Sequence, residues 1–459
     1  MDRERPRVLF ITFDGLLEPL GQSQILPYLT GLAARGAAIT VLSFEKPADW
    51  RSERMGALRG EMAARGVRWT ALRYHARPRL VASAFDVLAG AAVAWRLIRR
   101  DRLAIVHPRS YLAAAIAWLL KRRFGSRLVF DTKGFWVDER VQAGFWVPGS
   151  LPYRLAKRVE QRLLEDADEI VTLTERGRRM IEQWPGLREP RVTAVPTCVD
   201  LARFAGPGRA TAPNGAPVFI YIGSIGRYYL LDEMLRFVEC SRRRFPQARF
   251  VLVTRQQEEA ADALGRTALG AGAVTVASAP YPEIPQWVAG SHAGLAFYKP
   301  GGFRRGTCPT KLGEYLAMGV PVVVNAGIGD VEEVIGGSAV GAIVTDFSVE
   351  AYERALEELR RLWADPALAE RCRRVAERAF SLQMGIERYW AIYARLAALS
   401  NITVTQGSGS CHGPAPRPSS PRRTLPAPSA AGGVGRPGPC HPLPSGFSTK
   451  QRLAAKGSA

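Results

Sequence analysis

The segment GGFRRGTCPTKLGEYLAMGVPVVVNAGIGDVEEVI, residues 301–335, gathers the residue types that an anion site needs. A glycine-rich loop runs into a helix near Thr310, and Gly319 ends that helix before an apolar strand. Loop amides and the partial positive charge of a helix start favour an anion. Arg304, Arg305 and Lys311 add full charges. Glu314 follows Lys311 by three residues, so both lie on one helical face. A cation for phosphate and a carboxylate for ribose hydroxyls on one face suit a nucleotide. The same pair also fits a surface ion pair beside a solvated basic loop.

Three other loops carry candidate chemistry. In GSIGRYYLLDEML (223–235), Gly223 and Gly226 permit close backbone approach, Ser224 is polar, and Arg227 can reach a phosphate. An ordinary tight turn reads the same way. In FDGLLEPLGQSQILPYL (13–29), Gly21 precedes Gln22 and Ser23, which offer cap chemistry for the next helix. Pro27 must then fall near that helix's first turn, where a missing N–H costs least. In FDTKGFWVDERVQAGFW (130–146), Asp131 ends a strand, and Lys133, Asp138, Glu139 and Arg140 follow. A strand-end carboxylate in a cleft can orient a hydroxyl or take its proton. Trp136 and Trp146 offer flat faces for sugar rings. A charge network bracing a long loop is the competing reading. His107 and Arg109 end another strand on the same edge, and a single histidine there is more often structural than catalytic.

The elements that must position these loops alternate. Apolar runs such as RVLFIT, AITVLSF, LAIVH, RLVFD and EIVTLT read as strands buried on both faces. Helix-period segments lie between them, for example Ile25, Leu29 and Leu32 on one face. The pattern pauses at RFAGPGRATAPNGAP (203–217), a linker composition, and restarts with VFIYIG, RFVLVT, AGLAFY and VPVVVN. The fold class is α/β, with two Rossmann-like, doubly wound parallel-sheet domains facing across a cleft. The first covers 1–205 and the second 216–384. A helix at 385–399 with Tyr389, Trp390 and Tyr393 packs back on the first domain. Residues 400–459 hold ten Pro and nine Gly and read as a disordered tail. Cys411, His412, Cys440 and His441 in it are too far apart for a metal site.

Together these loops resemble glycosyltransferase family 4, the group 1 glycosyltransferases, over about residues 6–398. The resemblance is to a bacterial subgroup whose first loop reads like DGLLEPLGQSQILPYL and whose donor loop reads like PTKLGEYLAMGVPVVV. It implies a GT-B fold and transfer of a sugar from a nucleoside diphosphate to an acceptor hydroxyl, with retention and without a metal or other cofactor. It implies that Glu314 holds the donor ribose and that Thr310 and Lys311 contact phosphate. Gly21 then stands beside the diphosphate, and Gly223 opens the second domain's donor loop. Asp131, Arg227 and Lys311 become the catalytic candidates, with Arg305 assisting. His107, Arg109, Lys133 and Trp136 face the acceptor. Three positions depart from the family pattern. Position 306, where the first motif glutamate would stand, is Gly; Ser224 follows Gly223 where a cation is usual; and Asp131 stands where many relatives have histidine.

Composition narrows the alternatives. The 459 residues carry 63 basic and 42 acidic side chains, a net +21, and the basic residues are mostly Arg spread along the chain. Such spread, with no recognised motif, argues against nucleic acid as a partner. Six scattered cysteines without CxxC argue against a disulfide scaffold and indicate a reducing, cytoplasmic setting. MDRERPR runs straight into a strand, so no signal peptide is expected. The apolar stretches LVASAFDVLAGAAVAWRLI and YLAAAIAWLL are not expected to span a bilayer. With Arg99, Arg100, Lys121, Arg122 and Arg123 beside them, they can rest on the inner membrane face, and the acceptor can be a lipid-linked or soluble carbohydrate. A sugar-nucleotide epimerase, a phosphorylase and a non-catalytic partner subunit remain open readings.

Overall fold

The computed structural model describes residues 5–206, 216–226, 228–270 and 272–407. Seven parallel strands form the first sheet: β1 (Arg7–Thr12), β2 (Ala38–Glu45), β3 (Val67–Arg73), β4 (Ile105–Arg109), β5 (Arg127–Asp131), β6 (Glu169–Thr172) and β7 (Val192–Ala194). Their order is β3-β2-β1-β4-β5-β6-β7. Six more form the second sheet: β8 (Val218–Ile222), β9 (Arg249–Val253), β10 (Val274–Ala277), β11 (Ala293–Ala296), β12 (Val322–Asn325) and β13 (Gly341–Val344). Their order is β10-β9-β8-β11-β12-β13. Helices cover both faces of each sheet. That is why β4, β8 and β12 are buried at every residue and why their sequences show no polar alternation.

Strand order reverses between β1 and β4 in the first sheet and between β8 and β11 in the second. Ligands of doubly wound sheets bind beyond the carboxyl ends of strands at such a reversal. The loops that follow these four strands carry residues 13–18, 110, 223–229 and 297–309, which include three of the four loops marked by their chemistry, the fourth following β5.

Two chain crossings join the domains side by side. The Val199 N–H donates to the Phe380 carbonyl at 2.7 Å, and the Leu382 N–H returns to the Val199 carbonyl at 3.1 Å. The expected final helix runs Leu382–Gly407. It therefore starts before 385 and extends past 399, into the stretch read as disordered from 400. Its Ile386, Tyr389, Ile392, Tyr393 and Leu396 enter the first domain's core. Most of the expected linker and residues 408–459 lie outside the described residues. The four described cysteines, Cys198, Cys240, Cys308 and Cys372, are free.

The helix Arg79–Asp101 contains a stretch, Val81–Asp101, that is long and apolar enough to cross a membrane. Within it Asp86 is buried and accepts hydrogen bonds from the His75 N–H at 3.0 Å and ring at 2.6 Å. The inner side of the helix nevertheless packs Ala94, Leu97 and Ile98 against the first sheet.

Candidate active site

The two sheets' carboxyl ends enclose a cleft of about 560 Å³, a size typical of small-molecule sites. On its second-domain wall the helix Thr310–Ala317 begins directly after Pro309. Lys311 and Glu314 are only 7% and 5% exposed, so the reading as a solvated surface pair fails. Lys311 Nζ donates to Tyr298 Oη at 3.1 Å and lies 4.5 Å, 4.9 Å and 5.4 Å from the ring centroids of Tyr229, Tyr221 and Tyr298. Three tyrosines thus form a cage that holds the ammonium by its positive charge. Burial pushes the Lys311 pKa down to about 8, against the pull of Glu314. Burial pushes the Glu314 carboxyl up to about 7, opposed by Lys311 and by a hydrogen bond with Tyr281.

Gly223 follows β8 at φ 130, and a Cβ there would sit 3.7 Å from Lys311 Nζ. The left-handed backbone favours glycine at this point. Gly223, Ser224, Thr310, Lys311 and Glu314 all line the cleft. Arg227 lies outside the described residues. Of the two adjacent arginines, Arg304 lines the cleft, and Arg305 is exposed away from it. The Arg305 contribution is therefore corrected to Arg304. The 3₁₀ turn Gly302–Gly306 turns the first inward, and the Arg305 carbonyl is held by Thr174 Oγ1 at 2.5 Å.

The first-domain wall is set by β4 and β5. Arg109 pairs with Asp14, and both line the cleft. Lys133 lines it too, with Nζ 2.9 Å from Asp131 Oδ2 and donating to Tyr389 Oη at 3.2 Å. Its backbone is left-handed at φ 54, a strained state for a non-glycine residue. Burial lowers the Lys133 pKa, and Asp131 partly restores it.

Asp131 itself is 1% exposed and sits beneath Lys133 rather than in the cleft wall. It accepts from Tyr389 Oη at 2.8 Å and lies 3.5 Å from His107 Nε2. Burial would raise its pKa, but Lys133, His107 and Arg109 hold it far below the carboxylate range. Buried off the cleft wall and engaged by Tyr389 and Lys133, Asp131 cannot reach a substrate there, so the expected catalytic Asp131 is corrected to a positioning residue for Lys133. His107 is buried off the cleft, with Nδ1 2.6 Å from Tyr393 Oη, and burial lowers its pKa. It does not line the cleft. Trp136 does line the cleft, stacked on Tyr111 at 5.7 Å and met edge-on by Trp146 at 5.4 Å.

Gly21 is buried in the helix Pro19–Gln24, which begins before Gly21 rather than after it. A Cβ there would come 2.2 Å from the Gly15 carbonyl oxygen. Gly21 therefore serves close packing of the loop, and Pro19, Leu20 and Ser23 form the cleft wall instead. Sequence reasoning missed the roles of Tyr281 and Tyr298; an aromatic residue just past the apolar run of β11 was the available signal for Tyr298. No group of three or more His, Cys, Asp or Glu that could hold a metal occurs among the described residues.

Residues 22–198 match the family described as glycosyl transferase 4-like domain, and residues 216–361 match glycosyl transferases group 1. The two matches follow the order of the two domains and together span most of the chain. The chain belongs to the group 1 glycosyltransferases, with a GT-B fold. This glycosyltransferase is 30% identical over 140 residues to D-inositol 3-phosphate glycosyltransferase of Kineococcus radiotolerans, covering 29% of this chain and 32% of that protein. The match thus spans about a third of that relative's length. Sucrose-phosphate synthase of Thermosynechococcus elongatus superposes with a TM-score of 0.62 at 15% identity, covering 88% of this chain and 100% of that one. Anabaena HepE in complex with UDP-glucose superposes with a TM-score of 0.59 at 13% identity, covering 86% and 99%. At these identities the structural likeness establishes the fold alone.

Proposed function

We propose that this glycosyltransferase moves a hexose-type sugar from a nucleoside diphosphate to an acceptor hydroxyl, with retention and without a metal. The observation that carries the reading is the caged, buried Lys311 one helical turn from the buried Glu314, inside the cleft between the domains. An ammonium has three donors, and Lys311 Nζ spends one on Tyr298. The others suit a diphosphate, and Glu314 suits ribose hydroxyls. The UDP-glucose bound by HepE is consistent with such a donor. In the transfer, the bond from the anomeric carbon to the diphosphate oxygen breaks and a bond to the acceptor oxygen forms. The acceptor proton passes to the departing diphosphate. The negative charge built on that leaving group meets Lys311, fixed in advance. Lys133 and Arg109 orient the acceptor.

Lys311→Ala and Glu314→Ala are each expected to lower acceptor-dependent release of nucleoside diphosphate at least about tenfold, since one fixed donor contributes about 3 kcal/mol. Full turnover in both variants rejects the assignment. A second reading, a non-catalytic partner subunit, is favoured by Gly306: a Cβ there would lie 2.6 Å from Phe135 Cε2, so no side chain fits. Donor binding without acceptor-dependent release would support that reading. An epimerase would instead alter the donor with no acceptor present.

The acceptor in this proposal is lipid-linked, in cell-surface glycan assembly at the cytoplasmic face of a membrane. Eleven large apolar side chains are exposed among the described residues, and nine lie in one layer on the first domain. Val81, Phe85, Leu88 and Trp95 form an outer stripe on the helix Arg79–Asp101. Leu151, Leu155 and Val159 form another on the helix Leu151–Asp166, with Val147 just before it. Leu119 stands on the intervening helix Tyr111–Phe124. Exposed Arg96, Arg99, Arg123, Arg154 and Arg158 accompany them. A second copy would set these arginines against its own, whereas an anionic lipid surface complements them.

A further inference from the structure

The cleft holds a second charged pair, beyond the nucleotide end. Glu139 reaches it from the helix Trp136–Gln142 of the first domain, and Arg304 from the 3₁₀ turn Gly302–Gly306 of the second. Glu139 Oε1 is 3.9 Å from Arg304 Nη1, close enough for charge attraction and too far for a hydrogen bond. Arg304 is 3% exposed, and its Nε has no partner among the described residues. Its Nη2 donates to Gln142 Oε1 at 2.8 Å, and its guanidinium lies 4.7 Å from the centroid of the Tyr228 ring. In the cleft, Arg304 Nη1 thus faces a carboxylate held just beyond hydrogen-bond reach, a gap suited to a group that both donates and accepts.

Two glycines make room for this arrangement. Gly134 is at φ 116, and a Cβ there would meet Glu139 Oε1 at 2.9 Å. At Gly306 the Phe135 ring fills the space of a side chain, and Phe135 immediately precedes the helix that carries Glu139. The second domain therefore cannot supply a carboxylate from position 306, and the first domain supplies one across the cleft.

Order along the wall identifies the ligand group. Glu314 lies one turn inside the helix Thr310–Ala317, Lys311 at its start, and Arg304 in the turn before it. A nucleotide-sugar laid along that wall sets ribose at Glu314, diphosphate at Lys311 and the sugar at Arg304. We infer that Glu139 and Arg304 together bind hydroxyls of the transferred sugar, Glu139 accepting and Arg304 donating, and so select which sugar is transferred. The inference rests on the proposed nucleotide-sugar reading and adds the residues that discriminate within it.

The test compares wild type, Glu139→Gln and Glu139→Ala by calorimetric titration with a nucleoside diphosphate, its glucose conjugate and its galactose conjugate. The nucleoside diphosphate lacks the sugar and should bind all three proteins within about twofold. Wild type should separate the two conjugates at least about tenfold, and both variants should lose that separation, as expected when a hydroxyl-reading group is removed. Unchanged discrimination in the variants overturns the inference and leaves the donor reading intact. An equal loss of affinity for the sugar-free nucleotide also overturns it, since Glu139 would then only brace Arg304. Wild type that binds none of the three compounds defeats the donor reading itself.

Discussion

Burial moves Lys311 and Glu314 toward each other, the ammonium pKa down to about 8 and the carboxyl up to about 7. Donor binding needs both charged: Lys311 for the diphosphate and Glu314 to accept from ribose. A raised carboxyl pKa means that the charged form is lost as pH falls through about 7. A lowered lysine pKa means that its charged form is lost as pH rises through about 8. Nucleoside diphosphate affinity should therefore peak between these values and fall on both sides, and Glu314→Gln should remove the acid limb. A calorimetric pH series checks this, and a flat profile contradicts it. The Lys311 and Glu314 pairing was readable in the sequence because helical spacing is local. Asp131 was misread because its burial depends on Tyr389, 258 residues away. The choice between Arg304 and Arg305 turned on one 3₁₀ turn, which residue types alone do not dictate.

The strands and their alternation with helices were legible because parallel strands buried on both faces must be apolar throughout. The cage around Lys311 was not, since Tyr298 from just past the end of β11 joins Tyr221 and Tyr229 from β8 and its loop only through sheet order. Gly294 in β11 shows how tightly those elements meet: a Cβ there would lie 2.1 Å from Tyr315 Cδ2. Tyr315 in turn accepts from the Ile222 N–H at 3.1 Å, tying the Lys311 helix to the end of β8. The apolar stripe of the helix Leu151–Asp166 escaped sequence reading because Arg154, Lys157 and Arg158 interrupt it. That stripe and the one on Arg79–Asp101 should bind vesicles containing phosphatidylglycerol more tightly than pure phosphatidylcholine. Phe85→Ser with Leu88→Ser, or Leu151→Ser with Leu155→Ser, should weaken co-sedimentation at least about fivefold, since each exposed large side chain can bury roughly 1.5–3 kcal/mol of apolar surface. Equal binding to both vesicle types, or self-association of wild type that the same changes abolish, contradicts a lipid partner.

At the scale of the molecule, polar contacts around the cleft rim join the domains, beside the apolar packing of Phe135 against Gly306 and of Phe303 on the first domain. Asp330 accepts from the Glu175 and Arg176 N–H groups at 2.7 Å and 2.9 Å, while Arg176 pairs with Glu332 at 2.7 Å. Gln142 Nε2 donates to the Pro300 carbonyl at 2.5 Å. Such contacts can part and re-form without exposing a large apolar surface, and the two crossings at Val199 and Phe380–Leu382 supply a narrow pivot. A closed cleft excludes water and so limits hydrolysis of the donor. The central claim is that a nucleoside diphosphate is held at Lys311 within this cleft. Calorimetric titration of wild type and Lys311→Ala with UDP, GDP and ADP tests it most directly. At least one nucleotide should bind wild type and bind Lys311→Ala at least about tenfold more weakly, in proportion to the loss of one buried charge contact. Binding of equal strength to both proteins, or no binding of any of the three to wild type, would contradict the account.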